Sequence, residues 1–378
     1  MHLRSKSFLP QLVVAGYFVT ACVGGWAQQA AAPQTQAKQP SLTVDRDPVA
    51  SPDVDPPAAS QTGTPQGVGL GKIEREGGKY TLRQDAYEVR LNATVLDGGG
   101  RSIQTLDKSA FTVYEDGVQQ TIASFRHEDL PVSLGLLIDS SGSMYDKRTA
   151  VEKASLDFVK LSNPADEEFL VDFSWEAFID TDFTNNIDKL REGLSFIKSS
   201  GGTAIYDALV ASADYLSKNA KHPKQVLLVV TDGEDNASSA TLEQTIRRIQ
   251  DLDGPVIYCV GLLFGDDTDK RESRHAKRVL ETLAEQTGGA AYFPKSVNQV
   301  DEIAAEVAQD IRTQYTISYH STKSPTLGGY REVHVEAKAK NMGRLSVRTR
   351  SGYYPRVSAA DAAKAGDAGF ADPTKKKP

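Results

Sequence analysis

The chain has 378 residues, with 43 Lys and Arg against 50 Asp and Glu, and its net charge is −7. This acidic balance argues against a nucleic-acid-binding protein, which carries a basic face. The two cysteines exclude a disulfide-rich scaffold and a multi-cysteine zinc site. After residue 30, no apolar run reaches the roughly 20 residues that a membrane-spanning helix needs.

The segment 1–27 has the layout of a signal peptide. Basic side chains near its start precede an apolar stretch from Phe8 to about Val23. Gly25-Trp26-Ala27 then offers small residues at the positions that a signal peptidase reads. In an alternative interpretation, the four residues that end at Cys22 resemble a bacterial lipobox, which would attach a lipid anchor there. Both interpretations predict an exported protein, in the periplasm, on the cell surface or secreted, with membrane contact only through a lipid on Cys22.

Two segments have the composition of disordered chain. Residues 28–75 are rich in Gln, Ala, Pro, Ser and Asp, and seven of the 17 prolines lie between Pro33 and Pro65. Such a segment buries too little apolar surface to offset the entropy of ordering it, so we expect a spacer. The tail 356–378, rich in Ala, Asp and Lys, gives the same expectation.

Residues 79–127 have the pattern of β structure. From Tyr87 to Val95, apolar and polar residues alternate with the period of a half-buried strand. Further on, Glu115-Asp116-Gly117 lies between the apolar runs 111–114 and 121–125. An Asp-Gly pair in this setting predicts a β-hairpin.

Residues 131–312 alternate between short apolar runs and amphipathic stretches of helix length. This order predicts an α/β fold, a doubly wound, mostly parallel sheet covered by helices on both faces. The expected strands are 133–138, 169–175, 226–230, 256–260 and 290–293; the expected helices are 147–162, 184–198, 204–220, 241–252, 270–287 and 298–313.

Residues 313–355 return to alternating β patterns. Neither this segment nor 79–127 has enough strands to bury a core alone. We therefore expect the α/β domain 131–312 to be inserted into, or flanked by, one small β-sandwich that both segments build.

Polar residues follow the expected strands at the edge where a doubly wound sheet binds ligands. Asp139, Ser141 and Ser143 follow the first strand, Thr203 follows a Gly-Gly pair, and Asp232 follows the strand 226–230. Three hydroxyls and two carboxylates suit a hard divalent cation, Mg²⁺, Mn²⁺ or Ca²⁺. A cation held mainly by neutral oxygens keeps much of its attraction for a carboxylate from another molecule.

These residues resemble the metal-ion-dependent adhesion site (MIDAS) of von Willebrand factor A (VWA) domains. The resemblance covers about 131–312 and implies that Ser141, Ser143 and Thr203 bind the metal directly or nearly so. It implies that Asp139 and Asp232 act directly or through water, and that a protein partner supplies an Asp or Glu carboxylate. More weakly, the motifs Phe111–Gly117, Tyr315–Tyr319 and Arg350–Tyr354 resemble exported bacterial proteins called VWFA-related.

Three functions follow as hypotheses. The first is an exported, non-enzymatic module that binds a protein partner through a divalent cation. The second is a metal-independent structural or assembly scaffold of the cell envelope. The third is a serine hydrolase, which is disfavoured because the chain has no Gly-x-Ser-x-Gly elbow and no recognised triad pattern among its six histidines.

Several further residues have simpler interpretations. Glu234 and Asp235 are expected in a solvated acidic loop, and residues 265–269 in an exposed acidic turn. Trp175 is expected to pack against the domain, and Cys259 to be a buried, inert side chain.

Overall fold

The computed structural model describes residues 88–127, 129–264 and 270–356, and the backbone of four short strands before them. The predicted signal peptide with Cys22, most of the spacer 28–75, the acidic turn 265–269 and the tail beyond Arg356 lie outside the described residues.

The elements are named in chain order. The strands are β1 (Leu42–Val44), β2 (Asp47–Val49), β3 (Ile73–Glu76), β4 (Lys79–Leu82), β5 (Glu88–Leu96), β6 (Phe111–Glu115), β7 (Val118–Gln120), β8 (Ile122–Arg126), β9 (Val132–Asp139), β10 (Glu167–Phe173), β11 (Ala177–Thr184), β12 (Lys224–Thr231), β13 (Val256–Gly261), β14 (Ala291–Tyr292), β15 (Tyr315–His320), β16 (Arg331–Ala337), β17 (Ser346–Arg348) and β18 (Gly352–Tyr353). The α-helices are α1 (Arg148–Leu161), α2 (Ile187–Phe196), α3 (Ile205–Asn219), α4 (Leu242–Asp251), α5 (Lys270–Thr287) and α6 (Val300–Arg312).

The α/β segment is built on one sheet with the order β14-β13-β12-β9-β10-β11-β1-β2. The strands from β14 to β10 are all parallel. All eight residues of β9 are buried, as an apolar central strand requires when helices cover both faces of the sheet. The predicted doubly wound, mostly parallel sheet is therefore confirmed, and each predicted helical stretch contains one α-helix.

Strand β11 is an element that the sequence analysis did not predict. It runs antiparallel to β10 and follows it after a tight turn, which makes the sheet mixed at this end. Only Ala177 and Ile179 are buried along β11, and polar residues such as Asp180 and Asp182 interrupt its apolar pattern. Periodicity alone therefore gives too weak a signal to identify this strand.

Residues on both sides of the α/β segment pair with each other in two four-stranded sheets. One has the order β17-β5-β15-β8 and the other β18-β16-β6-β7. In the first, Leu91 of β5 is opposite Ile317 of β15; in the second, Val113 of β6 is opposite Val335 of β16. These four residues belong to one hydrophobic core that both sheets share, so the sheets pack as a sandwich.

The predicted hairpin forms at Asp116 and Gly117, but its second strand differs from the prediction. Both residues have positive φ, +48° and +77°, as a type I′ turn requires. Strand β6 pairs with β7, whereas β8, which contains most of the predicted partner run, pairs with β15 in the other sheet. The hairpin therefore ends at Gln120, and the chain crosses the sandwich at Thr121.

Two further features concern membranes and thiols. Among the described helices, none combines the length and apolarity that a bilayer span requires.

Cys259 is fully buried on β13. Burial raises the pKa of its thiol to about 12, which keeps the thiol protonated and inert.

Candidate functional site: an oxygen-lined edge of the sheet

Three loops meet at the carboxyl edge of the central sheet. The first follows β9, the second is 199–204 before α3, and the third follows β12, which lies beside β9. Backbone hydrogen bonds join the loops: Ser200 N donates to Ser140 O over 2.7 Å, and Asn236 N donates to Thr203 O over 3.0 Å. Main-chain hydrogen bonds therefore join the three loops at this edge.

Asp139 is the most deeply buried carboxylate of this edge. Its Oδ1 accepts from the backbone N of Ser141 at 2.8 Å, and its Oδ2 accepts from the hydroxyl of Thr231 at 2.6 Å. Burial raises the pKa of Asp139 to about 6, against the lowering effect of these hydrogen bonds. The carboxylate is still mostly ionised at neutral pH, and both of its oxygens are fixed.

Hydroxyls connect the first loop to the second carboxylate. The Oγ atoms of Ser141 and Ser143 lie 3.1 Å apart, and Ser143 Oγ donates to Asp232 Oδ1 over 2.8 Å. Four of the five predicted ligands, from Asp139 to Asp232, are therefore linked by contacts of 3.1 Å or less.

Thr203 completes the predicted set from the second loop. It is buried, and its backbone N donates to Asn236 Oδ1 over 2.9 Å. A Cβ placed on Gly233 would lie 4.0 Å from Thr203 Oγ1, so the third loop passes directly against this hydroxyl. All five predicted residues are thus found at one edge, as three hydroxyls and two carboxylates. Hard divalent cations favour such oxygen donors, so these five residues fit a divalent cation.

Lys147 is a residue of this site that the sequence analysis missed. Its Nζ lies 2.6 Å from Asp232 Oδ2, and the two side chains are only 17% and 1% exposed. The ammonium also lies 5.5 Å from the centre of the Phe264 ring. A single lysine at the start of a predicted helix has no pattern that separates it from a solvated surface residue.

The acidic part of the third loop supports helix α3. Asp235 is half-buried and accepts from Tyr206 N at 3.1 Å and from Ser238 Oγ at 2.5 Å. Burial raises the pKa of Asp235, and these hydrogen bonds oppose the rise. The expectation of a merely solvated loop is therefore wrong for Asp235, because the start of α3 needs an acceptor for its free backbone N–H groups.

Two exposed aromatic side chains lie beside the site, one on its first loop and one on a turn that packs against its second loop. Tyr145, after Ser143, is 74% exposed, and Trp175, in the turn between β10 and β11, is 64% exposed. The indole of Trp175 covers the second loop so closely that a Cβ on Gly201 would lie 2.5 Å from it. Trp175 does pack as predicted, but only through one side, because it lies on a tight turn rather than in the sheet.

The comparisons with known proteins agree with this architecture. Residues 134–306 match the family model of the von Willebrand factor type A domain. Inter-alpha-trypsin inhibitor heavy chain H4 of Homo sapiens is 24% identical over 268 residues, which is 64% of this chain and 28% of that protein. The Bos taurus protein is 24% identical over 275 residues. The chain thus spans about 28% of the length of these curated relatives.

Several solved structures are similar to part of this chain. A von Willebrand factor type A protein from Catenulispora acidiphila is 14% identical, with 76% of this chain and 80% of that chain covered and a TM-score of 0.39. Proximal thread matrix protein 1 from the mussel byssus, whose MIDAS motif holds zinc, is 16% identical, with 53% and 50% covered and a TM-score of 0.40. From the family match and the sheet described above, residues 134–306 of this chain form a von Willebrand factor type A domain.

Proposed function

We propose that the VWA domain binds a divalent cation at Asp139, Ser141, Ser143, Thr203 and Asp232, and that the bound cation captures a carboxylate of a protein partner. VWA domains are a family known for metal-dependent adhesion. The observation that carries the proposal is the convergence of these five oxygen-bearing side chains on one edge of the sheet. Mg²⁺ is the ion that we favour, with Mn²⁺ and Ca²⁺ as alternatives of the same chemistry.

The surroundings of the five residues suit the capture of a partner. Ser143 is exposed, whereas Asp139 is buried behind it, so the site is open on the side of Ser143. Tyr145, on the first loop, and Trp175, on the neighbouring turn between β10 and β11, offer exposed aromatic surface, and such residues are enriched in protein interfaces. The partner's Asp or Glu would reach the cation while its neighbouring residues contact these rings.

We propose that the domain is not an enzyme. Ser143, the most accessible serine of the set, contacts Ser141 and Asp232, and its hydroxyl donates to a carboxylate rather than to an imidazole. Near the third loop, His275 is paired with Glu234 at 3.1 Å. A nucleophilic serine needs a base within hydrogen-bond reach, and a carboxylate that also faces an ammonium is a poor one.

The experiment is a calorimetric titration of Mg²⁺, Mn²⁺ and Ca²⁺ into the full chain, beside Asp139→Asn and Asp146→Asn variants. Asp146 is exposed and lies three residues after Ser143, so its substitution removes the same charge without removing a proposed ligand. We expect saturable binding by the parent chain and by Asp146→Asn, and none by Asp139→Asn. Equal binding by all three proteins would contradict the proposed site.

We also propose that the protein is exported, with 1–27 as the signal. This rests on the basic start and the apolar stretch that follows it. Mass spectrometry of the mature protein from a bacterial host tests it: an N-terminus at Gln28 indicates signal-peptide cleavage, and a lipid-modified Cys22 indicates an anchored form. An intact Met1 on the purified protein would contradict both.

A further inference from the structure

Lys147 is held in place from both its backbone and its side chain. Its backbone N donates to Met144 O over 3.0 Å, and its carbonyl accepts from Ala150 N and Val151 N at the start of α1. Its side chain is only 17% exposed and ends on Asp232 at 2.6 Å. This lysine is therefore a fixed positive charge of the site rather than a flexible surface group.

The two oxygens of Asp232 accept from different donors. Oδ1 accepts from Ser143 Oγ, and Oδ2 accepts from Lys147 Nζ. The lysine fixes the rotation of the carboxylate and so keeps Oδ1 directed at the Ser143 hydroxyl. It also offsets the charge of Asp232 at a distance where the interior screens charges weakly.

Lys147 changes the net charge of the cation-loaded site. Asp139 and Asp232 together carry two negative charges, which a divalent cation alone would neutralise. With Lys147 present, the same cation leaves the site with one unit of positive charge. One carboxylate from a partner brings that charge to zero, whereas without the lysine it would make the site negative.

We propose that Lys147 sets this charge balance: it weakens binding of the cation alone and strengthens binding of a carboxylate to the cation-loaded site. The inference rests on the proposed function, because it assumes that the five residues hold a cation. It assigns to Lys147 a positioning and specificity role, in which the site favours the cation and an anionic ligand together over the cation by itself.

The test compares the full chain with Lys147→Met, Lys147→Arg and Lys160→Met. Methionine keeps the length of the side chain without its charge, and arginine keeps the charge. Lys160, at the far end of α1, is an exposed lysine paired with Asp157 and serves as the matched control for loss of one charge. Circular dichroism of each variant verifies that it folds.

Mn²⁺ is titrated by calorimetry at constant ionic strength, once in chloride and once in acetate, which serves as the carboxylate probe. In chloride we expect Lys147→Met to bind Mn²⁺ about tenfold more tightly than the parent chain. We expect acetate to increase the Mn²⁺ affinity of the parent chain and of Lys147→Arg, and to have little effect on Lys147→Met. Lys160→Met should behave as the parent chain in both salts.

The outcomes separate this inference from the proposed function. If the parent chain binds Mn²⁺ and Lys147→Met binds it equally or more weakly in chloride, the charge-balance role is wrong while the metal site stands. If acetate raises the affinity of Lys147→Met as much as that of the parent chain, the role is also wrong. If the parent chain and all three variants fail to bind Mn²⁺, the proposed metal site fails, and the inference fails with it.

Discussion

Arg331 and Glu115 form an ion pair inside the β-sandwich, with side chains 2% and 0% exposed and 3.4 Å between Nη1 and Oε1. Glu115 ends β6, before the VWA domain, and Arg331 begins β16, after it. Three further donors to Glu115, the hydroxyls of Tyr319, Ser321 and Tyr353, also come from the segment after the VWA domain. The buried carboxylate of one segment is therefore satisfied by groups of the other, which makes the two segments depend on each other for folding.

Substitution of Arg331 by Met should destabilise the sandwich strongly. It leaves the Glu115 carboxylate buried without its cation, and the loss of one partner of a buried pair costs about 3–5 kcal/mol. We expect urea unfolding of the full chain to show a sandwich transition at lower denaturant. Arg344→Met, at an exposed arginine, is the control and should leave the transition in place. A loss below about 1 kcal/mol would show that the sandwich does not depend on this buried pair.

Local patterns predicted the fold well where one face of an element is apolar. The alternation in β5 identified the inward residues Val89, Leu91, Ala93 and Val95, which are all fully buried. Local patterns do not predict which strands pair, because the partner of β5 lies more than 200 residues away, at β15. Only the need to bury a core favoured the union of the two flanks. For β8 that argument does not say which sheet it joins.

The site could be predicted because its ligands follow strands of one sheet in a recognisable order. Loop residues at strand ends share an edge wherever the fold is doubly wound, so Asp139 and Asp232 could be brought together from the sequence. Lys147 and Asn236 could not, since each acts through one specific contact, with Asp232 Oδ2 and with the backbone of Thr203. Contacts of this kind depend on side-chain rotamers and on the path of each loop, and neither produces a periodic pattern in the sequence.

Gly202→Ala should weaken cation binding more than it weakens the fold. The new Cβ would lie 2.6 Å from Asn236 Oδ1, the atom that accepts from Thr203 N, and 2.9 Å from the Trp175 ring. We expect a stability loss of about 1–2 kcal/mol from this overpacking, and a Mn²⁺ affinity at least several-fold lower because Thr203 moves.

Two variants make the Gly202 result specific. Gly343→Ala adds a Cβ where no atom lies within 4 Å and should change neither quantity. In a Trp175→Ala background, Gly202→Ala should still lower the affinity, because the contact with Asn236 remains. Calorimetry and thermal unfolding measure the two quantities, and full recovery of binding in the double variant would assign the effect to the indole instead.

Thr231→Val should lower cation affinity with little change in packing. Valine has nearly the shape of threonine but cannot donate to Asp139 Oδ2, which then lies buried without that donor. The hydroxyl is one of the groups that lower the pKa of Asp139, so its loss raises that pKa further. At pH 7 we expect Mn²⁺ to bind about tenfold more weakly, on the basis of roughly 1–2 kcal/mol for the lost hydrogen bond.

The control for Thr231 is Thr94→Val on β5. Thr94 is also fully buried, and its Oγ1 has no hydrogen-bond partner within the described part of the chain. This variant should bind Mn²⁺ as the parent chain does and should be equally stable or slightly more so. Unchanged affinity in Thr231→Val would mean that the Asp139 carboxylate does not depend on this donor.

Glu168 at the start of β10 should make the stability of the protein depend on pH. Burial raises the pKa of Glu168 to about 8 from 4.5, and neighbouring Asp166 adds to the rise. The folded chain therefore holds a proton that the unfolded chain lacks between about pH 4.5 and 8. The free energy of unfolding falls as pH rises through this window.

Glu168→Gln has no titratable carboxyl at this position and should lose this dependence on pH. We expect the variant to match the parent chain near pH 4.5 and to exceed it by on the order of 4 kcal/mol at pH 8.5, measured by urea unfolding. Glu176→Gln, at an exposed glutamate, should keep the parent slope, and parallel curves for the parent chain and Glu168→Gln would show that Glu168 titrates normally.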